Sequence, residues 1–275
     1  RDEDLRADRQ PEFTQIDMEM SFVNEDDVIE IIEELIIKIF KEIKGISLSS
    51  GFKRISYQES MDRFGNDRPD LRFGLELQTI TDIFKNTDFK VFKGVIESEG
   101  VIKCIKVKDT TMTRKNIDEL TFFAQEQGAK GLAWIKVLDS ELQSPILKFF
   151  SEEEISSLKS QLKLKVGDII FFGAGDEEVV NNYMSAVRSK LGKDLGLIKS
   201  DSYEFVWITD FPLFLKIDNK VTSTHHPFTM PKHESIDEKN LTGIESKAYD
   251  IVLNGTEIGG GSIRIHKKDL QEKVF

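Results

Sequence analysis

The sequence predicts an α+β protein in which an antiparallel core is interrupted by a second α+β module. Three observations predict it. Hairpin-like segments stand at opposite ends of the chain, in residues 1–22 and 248–264. Between them, residues 88–196 alternate strand-like and helical runs, the helices carrying their own start or stop signals. Charge changes with texture: 88–196 holds 16 Lys and Arg against 17 Asp and Glu, whereas the whole chain has a net charge of −11. The acidic excess therefore lies in the flanks. The expected division is 1–87 and 197–275 as two segments of one core, with 88–196 as a sandwich-like insert.

The elements follow in order. In residues 13–22 the pattern has period two: Phe13, Gln15, Asp17 and Glu19 share one face, and Thr14, Ile16, Met18 and Met20 the other. Arg1 and Glu3 are likewise two apart, and the charged stretch 4–11 closes a long hairpin loop. On these residues alone, an exposed hairpin with solvated charges fits equally well. Asn24 caps a helix running to about Lys44, with Glu25, Asp26 and Asp27 at its positive end, Lys41 and Lys44 at its negative end, and Gly45 as the stop. Val28, Ile31, Ile32, Leu35, Ile36, Ile39 and Ile43 form an apolar stripe, so this is expected to be a core helix without chemistry. Residues 56–77 read as a short helix and a turn-rich loop.

Within the insert, a strand at 101–107 leads to a helix at 113–127 ended by Gly128, then to a strand at 131–137. A second round opens with a strand-like run at 145–150 and continues through the capping box Ser151-Glu152-Glu153-Glu154, a helix, and a strand at 168–173. Asp176 caps a further helix that ends at Gly192. Beyond the insert, residues 205–214 are nearly all apolar and read as a buried strand entering a proline turn. A loop with His225-His226-Pro227-Phe228-Thr229 precedes the last hairpin.

That hairpin is the most specific local signal. Asn254-Gly255 between β-rich runs suits a two-residue turn, because both residues tolerate positive φ. Val252 is then opposite Glu257, and Asp250 lies diagonally across from Glu257 on one face. Two carboxylates so close repel unless a cation neutralises them, and oxygen-only ligands favour Mg²⁺ completed by substrate phosphates. Strict alternation sends Arg264 to the opposite face. A bulge in the run Gly259-Gly260-Gly261 restores it, and glycine there also lets a ligand approach the backbone. A simple bend is the other reading of such a run.

Composition narrows the class. The chain has 275 residues, 39% of them hydrophobic and 32% charged, enough to bury a core in two compact units. Cys104 is the only cysteine, which excludes an intrachain disulfide or a cysteine-built metal site and fits a reducing compartment. No apolar run reaches bilayer length and no signal peptide is visible, so a cytoplasmic location away from membranes is expected. The negative net charge argues against general nucleic-acid binding; contact with RNA must be local, with Lys103, Lys106, Lys108, Arg114 and Lys115 as candidates for phosphate. For these five, a solvated surface is an equal alternative. Arg1 opens the chain inside a motif and 267–275 is an uncapped helix-like run, from which a piece of a longer protein is expected.

The run Arg1-Asp2-Glu3-Asp4-Leu5-Arg6-Ala7-Asp8-Arg9-Gln10-Pro11-Glu12-Phe13-Thr14-Gln15 resembles the second signature motif of class II aminoacyl-tRNA synthetases in their bacterial-type aspartate form. The resemblance continues through 57–72, 207–214, 225–229 and 248–266, and the middle module is similar to the insertion domain of that family, which related amidotransferase subunits share. It implies a partial antiparallel-sheet catalytic core and ATP-dependent activation of L-aspartate to an adenylate, with Mg²⁺, followed by transfer to tRNA(Asp). It also implies a homodimeric full-length protein. By the same resemblance Arg1 contacts the α-phosphate and the amino-acid carboxylate. Arg1, Asp2, Glu3, Gln10, Phe13 and Glu257 belong to the ATP pocket. Gln15, Asp17, His225, His226 and Arg264 lie on the aspartate side, and Asp250 and Glu257 hold the metal. Spacing alone leaves the histidines as a polar loop beside a proline turn.

The chemistry explains these residue types. Adenylate formation builds charge at the α-phosphorus, so a positioned cation and a metal matter more than a base. Arginine stays charged and can bridge two anions, and Arg264 can hold a carboxylate bidentately where asparagine would leave part of the fork unpaired. The resemblance includes neither the dimerising first motif, the third motif and its ATP-binding arginine, the anticodon-binding barrel, nor the aspartate-recognition segment before the second motif. The piece alone is therefore expected to be inactive. The rival expectation is a non-catalytic binding or regulatory paralogue on the same scaffold; retention of Arg1, Asp250, Glu257 and Arg264 favours the enzyme.

Overall fold

The computed structural model describes residues 12–108, 110–139, 141–217, 220–234, 236–237 and 239–275. In chain order the elements are α1 (Glu25–Ile39), β1 (Lys53–Ser56), α2 (Tyr57–Phe64), β2 (Leu77–Thr79), α3 (Lys90–Glu97), β3 (Val101–Val107), α4 (Arg114–Glu126), β4 (Ala133–Val137), β5 (Leu142–Gln143), α5 (Glu152–Gln161), β6 (Ile169–Gly175), α6 (Glu177–Asp194), β7 (Phe205–Thr209), β8 (Phe214–Ile217), β9 (Lys220–Ser223), β10 (Ala248–Leu253), β11 (Thr256–Ser262) and α7 (Lys268–Val274). They divide into two compact units, one of residues 1–57 with 204–275 and the other of 58–203. The sequence thus leaves one unit and returns to it, with junctions at 57/58 and 203/204 and not at the ends of 88–196. The reason is β2, which pairs with β3 (Leu77 opposite Ile105, Thr79 opposite Lys103) and draws residues before Asp88 into the second unit.

The unit of 58–203 is built on a five-stranded sheet of order β2-β3-β6-β4-β5, every pairing antiparallel. Helices cover both faces. Ile105, Val107, Ile169 and Phe171 bury against Ile117, Leu120 and Ala124 of α4 and Val180, Met184, Val187 and Leu191 of α6. Ile102, Cys104, Ile170 and Phe172 bury against Phe92 of α3 and Leu158 of α5. Two covered faces explain why β6 is apolar almost throughout. The helix starts were legible: Thr113 and Ser151 form capping boxes with Asn116 and Glu154, and Asp176 accepts from the Glu178 and Val179 amides. Residues 145–150 form a 3₁₀ turn (Leu147–Phe149) instead of opening as a strand, and Phe149 and Phe150 join an aromatic cluster with Phe84, Phe89 and Phe92. Nor does Gly192 end α6. It packs against the Phe73 ring, where a Cβ would stand 2.7 Å from ring carbons, and the helix stops before Gly196 with φ 64.

The other unit carries a four-stranded sheet of order β1-β7-β10-β11. β1 runs parallel to β7, and β7, β10 and β11 are antiparallel. On one face Trp207 stands opposite Ile251, and α1 packs there: the Glu33 carboxylate accepts from Trp207 Nε1 at 3.0 Å and from the Gly51 and Phe52 amides at 2.9 and 3.2 Å. α1 starts at the expected N-cap, Asn24, whose amide donates to the Asp27 carboxylate at 2.7 Å, and its end tightens into a π turn (Phe40–Lys44) closed by Gly45 at φ 68. Its buried line is Ile29, Glu33 and Phe40; Ile31 and Ile43, assigned to the core side, are exposed in this chain. The expected strand at 13–22 is a further correction. Residues 13–20 are in no strand, and Phe13, Ile16, Met18 and Met20 are exposed, because none of the described strands pairs with them and a strand without a ladder has no face to bury.

Candidate active site

The hairpin of β10 and β11 turns through Asn254-Gly255 with φ of 51 and 84, as a primed two-residue turn requires. Val252 pairs with Glu257, as the sequence predicted. The ladder then slips: Ile251 pairs with Gly259 and Asp250 with Gly260, so Ile258 is an extra residue and β11 bulges there. The bulge falls immediately before the glycine run, not within it. Its consequence is the one anticipated. Counting alternate residues across the slip puts Glu257, Gly260, Ser262 and Arg264 on the face of Asp250 and Val252, opposite the face that carries Trp207, Ile251 and α1.

Arg264 follows the end of β11, where it bridges Thr229 as an antiparallel pair; the Ile265 amide donates to the Phe228 carbonyl and the Met230 amide to the Ile263 carbonyl, both at 2.8 Å. The loop with His225 and His226 is thereby fastened to the Arg264 backbone. His226 Nδ1 accepts from the Phe228 amide at 3.2 Å, so the neutral ring presents Nε2–H as a donor. His225 stands edge-on to Phe211, ring centroids 4.9 Å apart. Pro227 is held in turn by Gln271 Nε2 of α7 at 3.0 Å.

On the solvent side, Arg264 Nη1 lies 3.1 Å from the Glu19 carboxylate, both side chains more than two-thirds exposed. That ion pair ties the 12–20 segment to the hairpin. Phe13, Gln15 and Asp17 belong to the same segment and are exposed. Arg1, Asp2, Glu3 and Gln10 lie outside the described residues. The sequence-predicted residues brought together are thus Asp250, Glu257 and Arg264 on one sheet face, with His225 and His226 in the loop bonded to it.

The basic residues expected to meet RNA phosphate are mostly engaged elsewhere. Lys103 is 1% exposed; its ammonium donates to Asn181 Oδ1 at 2.8 Å and pairs with Glu177 at 3.2 Å. Lys106 donates to the Leu162 carbonyl at 2.5 Å. Arg114 pairs with Asp118 over the Trp134 ring, and Lys115 pairs with Glu119. A side chain committed to a buried or helix-terminal acceptor is not available to a phosphate, so Lys103 and Lys106 are withdrawn as candidates; Lys108 remains exposed. Two residues that sequence reasoning missed are Glu33 and Arg188, and the glycine run was named without the contact of Gly260 with Asp250. A carboxylate in the middle of an apolar stripe was the one signal for Glu33.

The chain belongs to the class II tRNA synthetases (D, K and N), whose family model matches residues 1–275. Among curated relatives, an aspartate–tRNA(Asp/Asn) ligase of Aquifex aeolicus is 52% identical over 291 residues, covering 100% of this chain and 48% of that protein. Another of Thermoanaerobacter sp. is 51% identical, covering 100% and 47%. An aspartate–tRNA ligase of Listeria welshimeri is 50% identical, covering 100% and 48%. The chain spans about half the length of the curated relatives it matches.

Proposed function

We propose that this chain is the part of an aspartate–tRNA ligase that carries one portion of its active site. The full-length protein activates L-aspartate with ATP to aspartyl-adenylate and transfers it to the 3′ end of tRNA(Asp). One observation carries the reading at the level of residues: a single bulge returns Arg264 to the face of Asp250 and Glu257, while the histidine loop is bonded to the Arg264 backbone. The names of the relatives support it.

Asp250 and Glu257 fit Mg²⁺ by their chemistry. Their donors are oxygens only, and two carboxylates leave positions for phosphate oxygens and water. When bound, the ion would offset the charge of the ATP phosphates. Arg264 reads the aspartate side chain: its planar fork is matched to a carboxylate, and it already pairs with one in Glu19. That exposed pair contributes at most about 1 kcal/mol, so a substrate carboxylate displaces it at small cost. His225 and His226 line the amino-acid side, His226 offering its Nε2–H. Arg1, Asp2, Glu3, Gln10 and Phe13 complete the ATP pocket, and Gln15 and Asp17 the aspartate pocket. Residues 88–196 are the insertion domain, and adenylate formation does not need them. The full-length protein works as a cytoplasmic homodimer.

The test is aspartate-dependent ATP–pyrophosphate exchange by the full-length protein. Exchange is expected with L-aspartate and not with L-asparagine, and to fall by orders of magnitude in Glu257→Gln, which removes charge from a metal ligand at constant shape. The 275-residue chain alone is expected to be inactive. Normal exchange by Glu257→Gln at ordinary Mg²⁺ would sink the metal assignment, and exchange driven by another amino acid would sink the reading itself.

A further inference from the structure

We infer that Gly260 is a positioning residue: the lack of a side chain at this one place in the glycine run lets the Asp250 carboxylate lie against β11, on the face it shares with Glu257 and Arg264. The inference rests on the reading of that face as the metal–nucleotide site. The three glycines differ in what an added methyl would meet. At Gly259 a Cβ would come to 3.4 Å from Ile251 Cγ2, an ordinary contact. At Gly261 it would stand 3.0 Å from two atoms of Tyr249, a matter of packing on the opposite face. At Gly260 it would stand 2.1 Å from Asp250 Oδ1 and 3.2 Å from Cγ.

None of the three has positive φ, so the backbone conformation does not call for glycine. Space does, and only at Gly260 is the space taken by a carboxylate. Because Asp250 meets it with the end of its side chain, a methyl is accommodated by turning that side chain, with the strand left in place. Staggered wells make the turn a jump of the carboxylate to another rotamer, not a small adjustment. Alanine is no worse than glycine in a strand. Gly260→Ala therefore moves a proposed metal ligand while sparing the fold, a separation that Gly261→Ala does not offer.

The experiment uses the full-length protein and its variants Gly259→Ala, Gly260→Ala, Gly261→Ala, Asp250→Ala and the double variant Asp250→Ala/Gly260→Ala. Mn²⁺ binding in the presence of ATP, followed by electron paramagnetic resonance, gives a readout apart from turnover; the Mg²⁺ dependence of exchange and the melting temperature complete it. Gly260→Ala is expected to weaken Mn²⁺ binding by about tenfold or more, the scale of losses when a ligand's orientation is disturbed. The Mg²⁺ needed for half-maximal exchange should rise by a similar factor, with the melting temperature unchanged. Gly259→Ala should behave as wild type. In the Asp250→Ala background, Gly260→Ala should add nothing.

Wild-type Mn²⁺ binding by Gly260→Ala, or an equal further loss in the Asp250→Ala background, overturns the inference. If Gly260→Ala does not fold, folding of the double variant still supports the contact, and failure of both overturns it. If Asp250→Ala itself leaves Mn²⁺ binding and Mg²⁺ dependence unchanged, the reading of the acid pair fails first. If Asp250→Ala weakens binding and Gly260→Ala does not, only the role of Gly260 falls.

Discussion

Replacing Arg188 by methionine tests how the second unit holds its first loop. Arg188 is 1% exposed on α6, and its Nη2 donates to the carbonyls of Asp70, Phe73 and Gly74 at 2.8, 3.0 and 3.0 Å. The guanidinium also lies 4.2 Å from the Phe73 ring centroid and 4.8 Å from that of Phe64. Burial pushes its pKa down to about 10, with the Asp70 and Glu76 carboxylates working against that fall, so it remains charged at neutral pH. Methionine keeps the apolar stem but strands the Phe73 carbonyl, whose bond is buried, at about 1–3 kcal/mol. It also removes two cation–π contacts of about 0.5–2 kcal/mol each. Relief of the buried charge offsets part of this, and Nε of Arg188 has no acceptor among the described residues. The net loss expected is about 3 kcal/mol. Urea denaturation of the segment 58–203, followed by Trp134 fluorescence, reads it as a fall of about 1–2 M in the midpoint for ordinary slopes. The segment is expected to fold alone because its own helices cover both faces of its sheet. Arg188→Lys should fall between the two, since an ammonium keeps donors for the carbonyls but loses the planar guanidinium that lies over the Phe64 and Phe73 rings. An unchanged or raised midpoint in Arg188→Met would refute the reasoning, because desolvation would then outweigh every bond the guanidinium makes.

Two further outcomes follow from buried or partly buried carboxylates. In Glu33→Gln an amide nitrogen must face one of three donors, so the first unit should lose about 2 kcal/mol, seen as a lower urea midpoint by Trp207 fluorescence; no loss would show that the amide finds another arrangement. For Asp70, burial pushes the carboxyl up, but hydrogen bonds from the Arg72 side chain and amide outweigh it and hold the pKa below the ordinary 3.8. A depressed folded pKa contributes stability that is present above the unfolded value and is lost as pH falls through the folded one. Asp70→Asn should therefore be less stable than wild type at pH 7, with the difference shrinking as pH falls below the ordinary carboxylate range. A difference that persists unchanged into acid would mean that packing, not ionisation, sets the effect.

What could be read from the sequence was local. Asn24, Thr113, Ser151 and Asp176 cap their helices because capping needs only the next three residues, and the bounds of β3 were read to the residue. Where a partner is distant, the pattern misled. Lys103 looked like a surface charge, yet its acceptors Asn181 and Glu177 belong to α6, far along the chain. Gly192 looked like a helix stop, and only the ring of Phe73 explains it. Residues 13–22 have a strand's alternation, but alternation states which face would be buried and supplies no neighbour to bury it against.

The candidate site makes the same point more sharply. Asn254-Gly255 set the turn and hence the pairing of Val252 with Glu257, because a two-residue loop permits one register. From there every side chain's face depends on parity, and parity is what a bulge reverses. The glycine run signalled an irregularity, yet the extra residue is Ile258, and the glycines serve different neighbours: Gly259 and Gly261 sit beside Ile251 and Tyr249, Gly260 beside Asp250. Two neighbouring irregularities, one in register and one in side-chain volume, together decide where a carboxylate and an arginine stand. Neither changes the order of elements, so a correct fold assignment leaves both undetermined. The residues of a site of this kind can be named from sequence, whereas their common face is a property of the ladder, fixed only when each residue's partner across the strand is known.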